Sequence, residues 1–346
     1  MMNMAKKIGF ISLGCPKNQV DSELMLKELA DAGYEIIDTP IGADAVIINT
    51  CGFIEAAKQE SIDNIFEMAG YKEDGDVGKI IVVGCMAERY REEILKEMPE
   101  VDAVAGIGAN GDIVSFVDSV FEGKENMLFP EKEKLPLCGE RLLTTPSYRA
   151  YLKIADGCSN CCTYCAIPKI RGPQRSRPIE SIVEEAKRLA SDGVKELTVI
   201  AQDTTRYGDD IYGEPKLDEL LKQLDVIDGI EWIRLLYCYP DRLTDSVLET
   251  MRDSKHVLHY IDLPLQHANG RILKAMNRRG DSASLLALIG KIRDYMPDCV
   301  IRTTFMTGFP GEDDEAFNEL SEFVNAARFD RLGCFAFSPE EGTAAA

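Results

Sequence analysis

Three times within the first 125 residues the chain repeats one unit: a short apolar run, a turn bearing one cysteine with glycine or asparagine, then a helix-period pattern. The first unit is Lys7 to Leu13, the turn Gly14-Cys15-Pro16, and a predicted helix near Val20 to Ala32. Leu24, Leu26 and Leu29 are its apolar positions and Gly33 its stop. The second is Ala45 to Ile48, Asn49-Thr50-Cys51-Gly52, and a helix from Glu55 to Ala69 closed by Gly70. The third is Ile80 to Val83, Gly84-Cys85, and a helix near Glu88 to Met98. Strands alternating with helices predict an α/β domain with a parallel, doubly wound sheet whose crossovers share one hand. In such a sheet every strand-to-helix turn lies beyond the carboxyl ends of the strands, where ligands bind. Cys15, Cys51 and Cys85 are therefore expected to converge. A lone buried thiol is the commonest fate of a cysteine, and that reading stands beside the other for each residue taken singly. Three cysteines at equivalent turns argue for a shared role.

A second group lies further along, in the run Asp156-Gly-Cys-Ser-Asn-Cys-Cys-Thr-Tyr-Cys165. Cys158, Cys162 and Cys165 form a Cys-x3-Cys-x2-Cys triad that offers a metal centre three thiolates. Four cysteines close an iron-sulfur cluster and make it an electron carrier, whereas three leave one iron free for an exchangeable ligand. Two plainer readings compete. A structural zinc site wants four closed ligands in well-separated pairs. Counting Cys161 gives two abutting Cys-x2-Cys pairs, with little chain between them to wrap one ion. A disulfide framework suits a secreted chain, and here the first apolar run, Ile8 to Leu13, is too short for a signal peptide. The composition points instead to a reducing, cytoplasmic setting, where eleven cysteines suggest metal chemistry.

At 346 residues the chain is long enough for two domains with cores of their own. No stretch approaches the ~20 apolar residues of a membrane span. Lys+Arg 39 against Asp+Glu 59 gives a net charge of −20. That balance disfavours a polyanionic partner and suits a basic one. The main basic exception is Lys169, Arg171, Arg175 and Arg177. Basic residues beside a carboxylate ligand would look the same.

The alternation resumes after a stretch rich in Lys, Glu and Pro, so residues 1–125 read as one domain, 126–147 as a linker and 148–346 as a second domain. Strands are predicted near Tyr151 to Ile154, Glu196 to Ile200, Trp232 to Leu236, Tyr260 to Leu263, Val300 to Phe305 and Arg331 to Phe337. The helix after the triad opens at Pro178 and sets Ile182, Val183, Ala186, Leu189 and Ala190 on one face. Six such units suggest an open, partial (β/α) barrel with the triad after its first strand. Polar words at later strand ends, Gln202-Asp203, Gln266-His267 and Gly308-Phe-Pro-Gly-Glu312, fall around it; singly, each also reads as a turn or a cap. His267 is the histidine best placed for a pocket, whereas His256 and His259 read as solvated or structural. Gly106-Ile-Gly108-Ala-Asn-Gly111 matches a dinucleotide fingerprint in letters alone. The linker follows it where a strand-helix-strand unit with an acidic residue is needed.

The triad, with Tyr164 before its last cysteine, resembles the signature of radical S-adenosylmethionine (SAM) enzymes. That resemblance implies a [4Fe-4S] cluster whose free iron is chelated by the amino and carboxylate groups of SAM, which is cleaved to methionine and a 5'-deoxyadenosyl radical. It places Tyr164 against the adenine and leaves Cys161, where the family carries a non-cysteine residue, outside the ligand set. The segments Ser12-Leu-Gly-Cys-Pro-Lys-Asn-Gln-Val-Asp-Ser-Glu23, Asn49-Thr-Cys-Gly-Phe-Ile54 and Gly84-Cys-Met-Ala-Glu-Arg89 resemble the amino-terminal domain of the methylthiotransferases. There the cysteines corresponding to Cys15, Cys51 and Cys85 hold a second [4Fe-4S] cluster. Cys138, Cys238, Cys299 and Cys334 are left as ordinary thiols. The resemblance also assigns Tyr164, Gln202, Gln266 and Arg302 to the SAM pocket, with individual catalytic residues left open.

Methylthiotransferases modify either an adenosine of transfer RNA or an aspartate in the twelfth protein of the small ribosomal subunit. The words Tyr260-Ile-Asp-Leu-Pro-Leu-Gln-His267, Lys274-Ala-Met-Asn-Arg-Arg-Gly280 and Arg302-Thr-Thr-Phe-Met-Thr-Gly-Phe-Pro-Gly-Glu312 resemble the ribosomal-protein branch. The acidic balance agrees, since a transfer RNA enzyme should carry a basic footprint and ribosomal proteins are basic. The resemblance implies hydrogen abstraction from the aspartate β-carbon, sulfur insertion from the second cluster, a methyl group from a second SAM, and an electron donor. Family members continue into a small β-barrel, the TRAM domain, whereas this chain stops at Glu341-Gly-Thr-Ala-Ala-Ala346. A catalytic core without that barrel is the expectation.

Overall fold

The computed structural model describes residues 5–346 and divides into two compact units. Unit 1 comprises residues 1–144 with 166–172; unit 2 comprises 145–165 with 173–346.

In unit 1 the strands are β1 (Lys7–Ser12), β2 (Glu35–Ile37), β3 (Ala45–Thr50), β4 (Ile80–Gly84), β5 (Ala103–Ala105) and β6 (Met127–Leu128). They form one parallel sheet in the order β2-β1-β3-β4-β5-β6. Every residue of β3 and β4 is buried, as expected of strands covered on both faces. Alternate side chains sort into two cores. Val46, Ile48, Ile80 and Val82 pack with Ile65, Met68 and Met86, whereas Ile8, Ile47, Ile81 and Val83 pack with Met25, Leu29 and Phe116. Each fully buried Ile contributes roughly 1.5–3 kcal/mol, so a one-residue slip of register would expose an entire core face.

The helices differ from expectation at their ends. Helix α1 (Pro16–Asp31) begins directly after Cys15, because Pro16 at its first position has no amide to leave unpaired and a backbone angle already helical. Helix α2 (Glu55–Glu73) runs through Gly70. The ~1 kcal/mol penalty of an internal glycine is outweighed by the buried Ile65, Met68 and Ala69, and the stop falls at Asp74-Gly75, where Gly75 takes φ +82. The third predicted helix is two, α3 (Cys85–Tyr90) and α4 (Glu92–Glu97), broken at Arg91 with φ 46. The Arg91 guanidinium turns back to the Glu88 carboxylate at 3.1 Å and lies over the Phe129 ring. Helix α5 (Ile113–Glu122) follows a 3-10 turn over Ile107–Asp112. In that turn the Ile107 amide donates to the buried Glu88 carboxylate at 3.1 Å, and a Cβ at Gly106 would stand 2.3 Å from the same carboxylate. Gly106 serves packing there, as does Gly108, where a Cβ would stand 2.3 Å from the Pro130 carbonyl oxygen.

Unit 2 holds β7 (Arg149–Lys153), a short antiparallel pair β8 (Ala155–Asp156) and β9 (Arg175–Ser176), then β10 (Glu196–Ile200), β11 (Trp232–Leu235), β12 (Val257–Asp262), β13 (Val300–Thr307) and β14 (Arg331–Ala336). Six of these make a parallel sheet in strict sequence, β7-β10-β11-β12-β13-β14, open at both edges. Consecutive neighbours joined by helices give the partial (β/α) barrel. The β8–β9 pair is invisible to periodicity, being two residues per strand; it ties the base of the loop that carries Cys158, Cys162 and Cys165. Helix Ile179–Ser191 follows Pro178 and buries Ile182, Ala186 and Leu189. Among the described residues no helix is long and apolar enough to cross a membrane.

Two candidate cysteine centres

In unit 1, β3 and β4 are in register up to the pair Thr50 and Gly84. Cys51 and Cys85 are the next residue on each strand, side by side beyond the sheet edge. Cys15 reaches the same edge by the turn at Gly14, whose φ is +91. A Cβ on Gly14 would lie 2.8 Å from Cys51 Cβ and 3.1 Å from its Sγ. Gly52 packs likewise on Met86, where a Cβ would stand 2.8 Å from Cα. Two bare backbones thus let the three cysteine turns close on one another, and the thiol of Cys15 contributes to the electrostatics of both Cys51 and Cys85.

Asn18, one turn into α1, staples the arrangement. Its amide donates to the Thr50 carbonyl at 2.9 Å and the Leu13 carbonyl at 3.2 Å. Its Oδ1 accepts from the Cys85 thiol at 3.3 Å and from Arg171 at 2.6 Å. Asn49 and Ser61 hold the backbone on either side: Asn49 donates to the Asn18 carbonyl at 2.9 Å, and Ser61 accepts from the Cys51 amide at 3.1 Å. Burial pushes the Cys85 thiol up to about 12, opposed by the Arg171 guanidinium. The Cys51 thiol is raised for the same first reason. Arg171 itself pairs with Asp21 at 2.8 Å, both almost wholly buried.

In unit 2 the triad loop is pinned from two sides. On one, Asn160 donates to the buried Asp203 at 2.8 Å, and Asp203 accepts from the Thr205 amide and hydroxyl at 3.0 and 2.6 Å. On the other, the Thr163 amide donates to the Met276 carbonyl at 3.1 Å and Asn277 donates to the Cys161 carbonyl at 2.9 Å. Cys161 is exposed at φ 52, so its side chain leaves the loop while its carbonyl fastens it. Cys158 is pushed up to about 11 by burial, against the Asn160 amide that favours its thiolate. The Cys162 thiol accepts from Arg278 at 3.8 Å, with the Tyr164 and Tyr239 phenols also against it. A hollow of about 360 Å³ opens beside the loop, lined by Ser159, Asn160, Arg206, Tyr239 and Arg279 among others.

All eleven cysteines are free thiols. Cys238 and Cys299 are buried; Cys138 and Cys334 are exposed. Among the described residues no three His, Cys, Asp or Glu side chains are gathered tightly enough for a single ion. The thiolates of an iron-sulfur cubane each take a different iron and stand wider apart than the ligands of one ion. Thiols on pinned loops, without disulfide partners, suit that donor set.

The remaining predicted positions are spread over unit 2. Tyr164 packs against Ile272, Met276 and Phe309. Gln202 donates to Asp156 at 2.9 Å while its Oε1 is buried with no hydrogen-bond partner. That orphaned acceptor suits an ammonium or hydroxyl donor of a polar ligand such as SAM. Gln266 sits at φ 71, its main chain bridging Thr304 and Met306 at 2.8 and 2.7 Å. Arg302 stands level with the last residue of β12 and pairs with Asp262 at 2.9 Å. His267 is wholly buried, accepting from the Asn269 amide at 3.0 Å, with Nε2 toward Glu312 at 3.6 Å. The run Lys169, Arg171, Arg175 and Arg177 is no basic surface. Arg171 pairs with Asp21, and Arg177 pairs with Glu185 at 2.5 Å, each nearly wholly buried. Sequence reasoning missed Asn18, Asn277 and Arg278 as supports of the cysteines. Each lies in a word that the family resemblance marked, yet no spacing rule connects any of them to its thiol.

The description "Uncharacterized protein family UPF0004" matches residues 7–106, and "Radical SAM superfamily" matches residues 152–324. The chain is 53% identical over 345 residues to the ribosomal protein uS12 methylthiotransferase RimO of Desulforamulus reducens, covering 98% of this chain and 77% of that one. It is 47% identical to the protein of the same name from Geobacter sulfurreducens, covering 100% and 78%. Among solved structures, the radical SAM methyltransferase TsrM from Kitasatospora setae superposes with a TM-score of 0.72 over 97% of this chain and 75% of its own; at 11% identity this is a likeness of fold.

Proposed function

Because this chain belongs to the RimO family of ribosomal protein uS12 methylthiotransferases, we propose that it methylthiolates the β-carbon of an aspartate in that ribosomal protein. It is a radical SAM methylthiotransferase that works with SAM and [4Fe-4S] clusters. When bound, these cofactors supply the hydrogen-abstracting radical, the sulfur and the methyl group.

The observation that carries the reading is the pair of cysteine trios, one in each unit. We assign Cys158, Cys162 and Cys165 to the SAM-binding cluster and Cys15, Cys51 and Cys85 to the second. Tyr164, Gln202, Gln266 and Arg302 are assigned to the SAM pocket. We read the domains as 1–125 for the second cluster and 148–346 for the radical chemistry; of the segment 126–147 between them, Met127–Leu128 adds β6 to the unit 1 sheet and residues up to 144 belong to unit 1. The chain's own residues bind, orient and shield. Asn160, Thr163 and Asn277 hold the triad loop in one conformation, and Asn18 holds the unit 1 turns. Gln202 offers a fixed acceptor, so a ligand pays little reorganisation on binding. Burial around Cys85 and Cys158 keeps water from the thiols.

A net charge of −20 favours a basic ribosomal protein over transfer RNA, and a cytoplasmic site of action with an electron donor completes the reading. The test is anaerobic reconstitution, then incubation with SAM, reductant and either uS12 or transfer RNA, with mass spectrometry of both. Methylthio-aspartate in uS12 and unmodified RNA is the expected result; methylthio-adenosine with unmodified uS12 would overturn the substrate.

A further inference from the structure

Arg278 is nine-tenths buried, with 8% of its surface exposed. One guanidinium nitrogen donates to Cys162 Sγ at 3.8 Å and the other to the Pro264 carbonyl at 2.8 Å, while the group lies 4.2 Å from the centroid of the Tyr239 ring. Among the described residues, no carboxylate stands among its contacts. The other buried arginines of this chain are different: Arg171 has Asp21 and Arg177 has Glu185. Burying a charge without a partner is costly, and folded chains do so where an opposite charge is supplied. Among the described residues, the guanidinium hydrogen-bonds one side chain, the sulfur of Cys162, with the Tyr164 and Tyr239 phenols beside it.

We propose that Arg278 is the built-in counter-ion of the cluster held by Cys158, Cys162 and Cys165, and that it makes this cluster easier to reduce. The inference rests on the assignment of that triad to the radical site. A cluster gains one negative charge when it takes up one electron from a reductant. A fixed positive charge and a hydrogen bond to a ligating sulfur stabilise the reduced form more than the oxidised one. Burial keeps water from screening the effect. Asn277, next in sequence, ties the same turn to the Cys161 carbonyl, so guanidinium and sulfur move together. Arg278 is thus a positioning residue that acts through Cys162.

The test is an EPR-monitored redox titration of the reconstituted holoenzyme with dithionite, without SAM. The radical-site signal is identified as the one that changes when SAM is later added. Arg278→Met and Arg278→Gln should lower the ratio of reduced to oxidised cluster at least tenfold at fixed potential, a shift of about 59 mV toward negative values for one electron. Arg278→Lys should restore most of it. Neutral variants that keep their iron and titrate at the wild-type potential would overturn the proposal. So would weaker SAM binding as the sole change, which would make Arg278 a ligand for the SAM carboxylate. If neither neutral variant holds iron but Lys does, the need for a counter-ion is confirmed. Loss of fold in all three by circular dichroism would reduce Arg278 to a structural role. Should no cluster respond to SAM even in the unaltered enzyme, the triad assignment itself fails.

Discussion

Gly14 faces Cys51 across the edge of the unit 1 sheet so closely that a methyl group on Gly14 would overlap the cysteine's Cβ at 2.8 Å. The contact joins two of the three cysteine turns. Gly14 also needs φ +91, which a side chain resists. Gly14→Ala should therefore cost about 1–3 kcal/mol in strain and push Cys51 out of line with Cys15. Iron analysis should show one cluster fewer, with SAM cleavage retained. An unchanged iron content and melting temperature would mean that the turn is free to relax.

The two trios should fail in different ways. Ala at Cys158, Cys162 or Cys165 is expected to abolish deoxyadenosine formation, because two thiolates cannot hold the open-site cluster. Ala at Cys15, Cys51 or Cys85 should leave deoxyadenosine measurable and stop methylthio transfer. Cys161→Ala should spare both, since its side chain is exposed. Chromatography of SAM products beside mass spectrometry of uS12 separates the outcomes, and full transfer by a C15A/C51A/C85A variant would contradict the division.

Acid should weaken unit 2 through His267. Burial lowers its pKa below the ordinary 6.5, against the pull of Glu312 and Glu319 and alongside Arg271. A group whose folded pKa is depressed contributes stability that is fully present above its unfolded pKa and lost as pH falls through the folded value. Urea unfolding should thus show stability flat above pH ~6.5 and declining below it. His267→Asn, which keeps an acceptor for the Asn269 amide, should flatten the part of that decline due to His267. A decline of equal slope in the variant would assign it to carboxylates instead.

Binding should follow charge. The chain is expected to hold basic uS12 more tightly than transfer RNA, with affinity for uS12 falling as salt rises. Fluorescence titration across moderate salt measures both, and tighter RNA binding throughout would contradict the assignment.

Strands β1, β3 and β4, the six strands of the unit 2 sheet, their parallel sense and the approach of the Cys15, Cys51 and Cys85 turns were legible in the chain, because hydrophobic period and turn chemistry are local and because a parallel sheet puts equivalent turns on one edge; the shorter β2, β5, β6, β8 and β9 were not. The Cys158, Cys162 and Cys165 spacing was legible for the same reason: the three cysteines lie within one loop. Helix ends were less so. Gly70 carries a local stop signal that buried packing overrides, and Arg91 breaks a helix because its partners, Glu88 and Phe129, come together only in the fold. The charges were least legible of all. Lys169 to Arg177 reads as a basic patch, yet Arg171 and Arg177 are spent on Asp21 and Glu185, while Arg278, unremarkable in sequence, lies buried on a cysteine. Whether a charge is solvated, neutralised or left to act on a neighbour depends on which distant surfaces meet around it, and only the tertiary structure decides that.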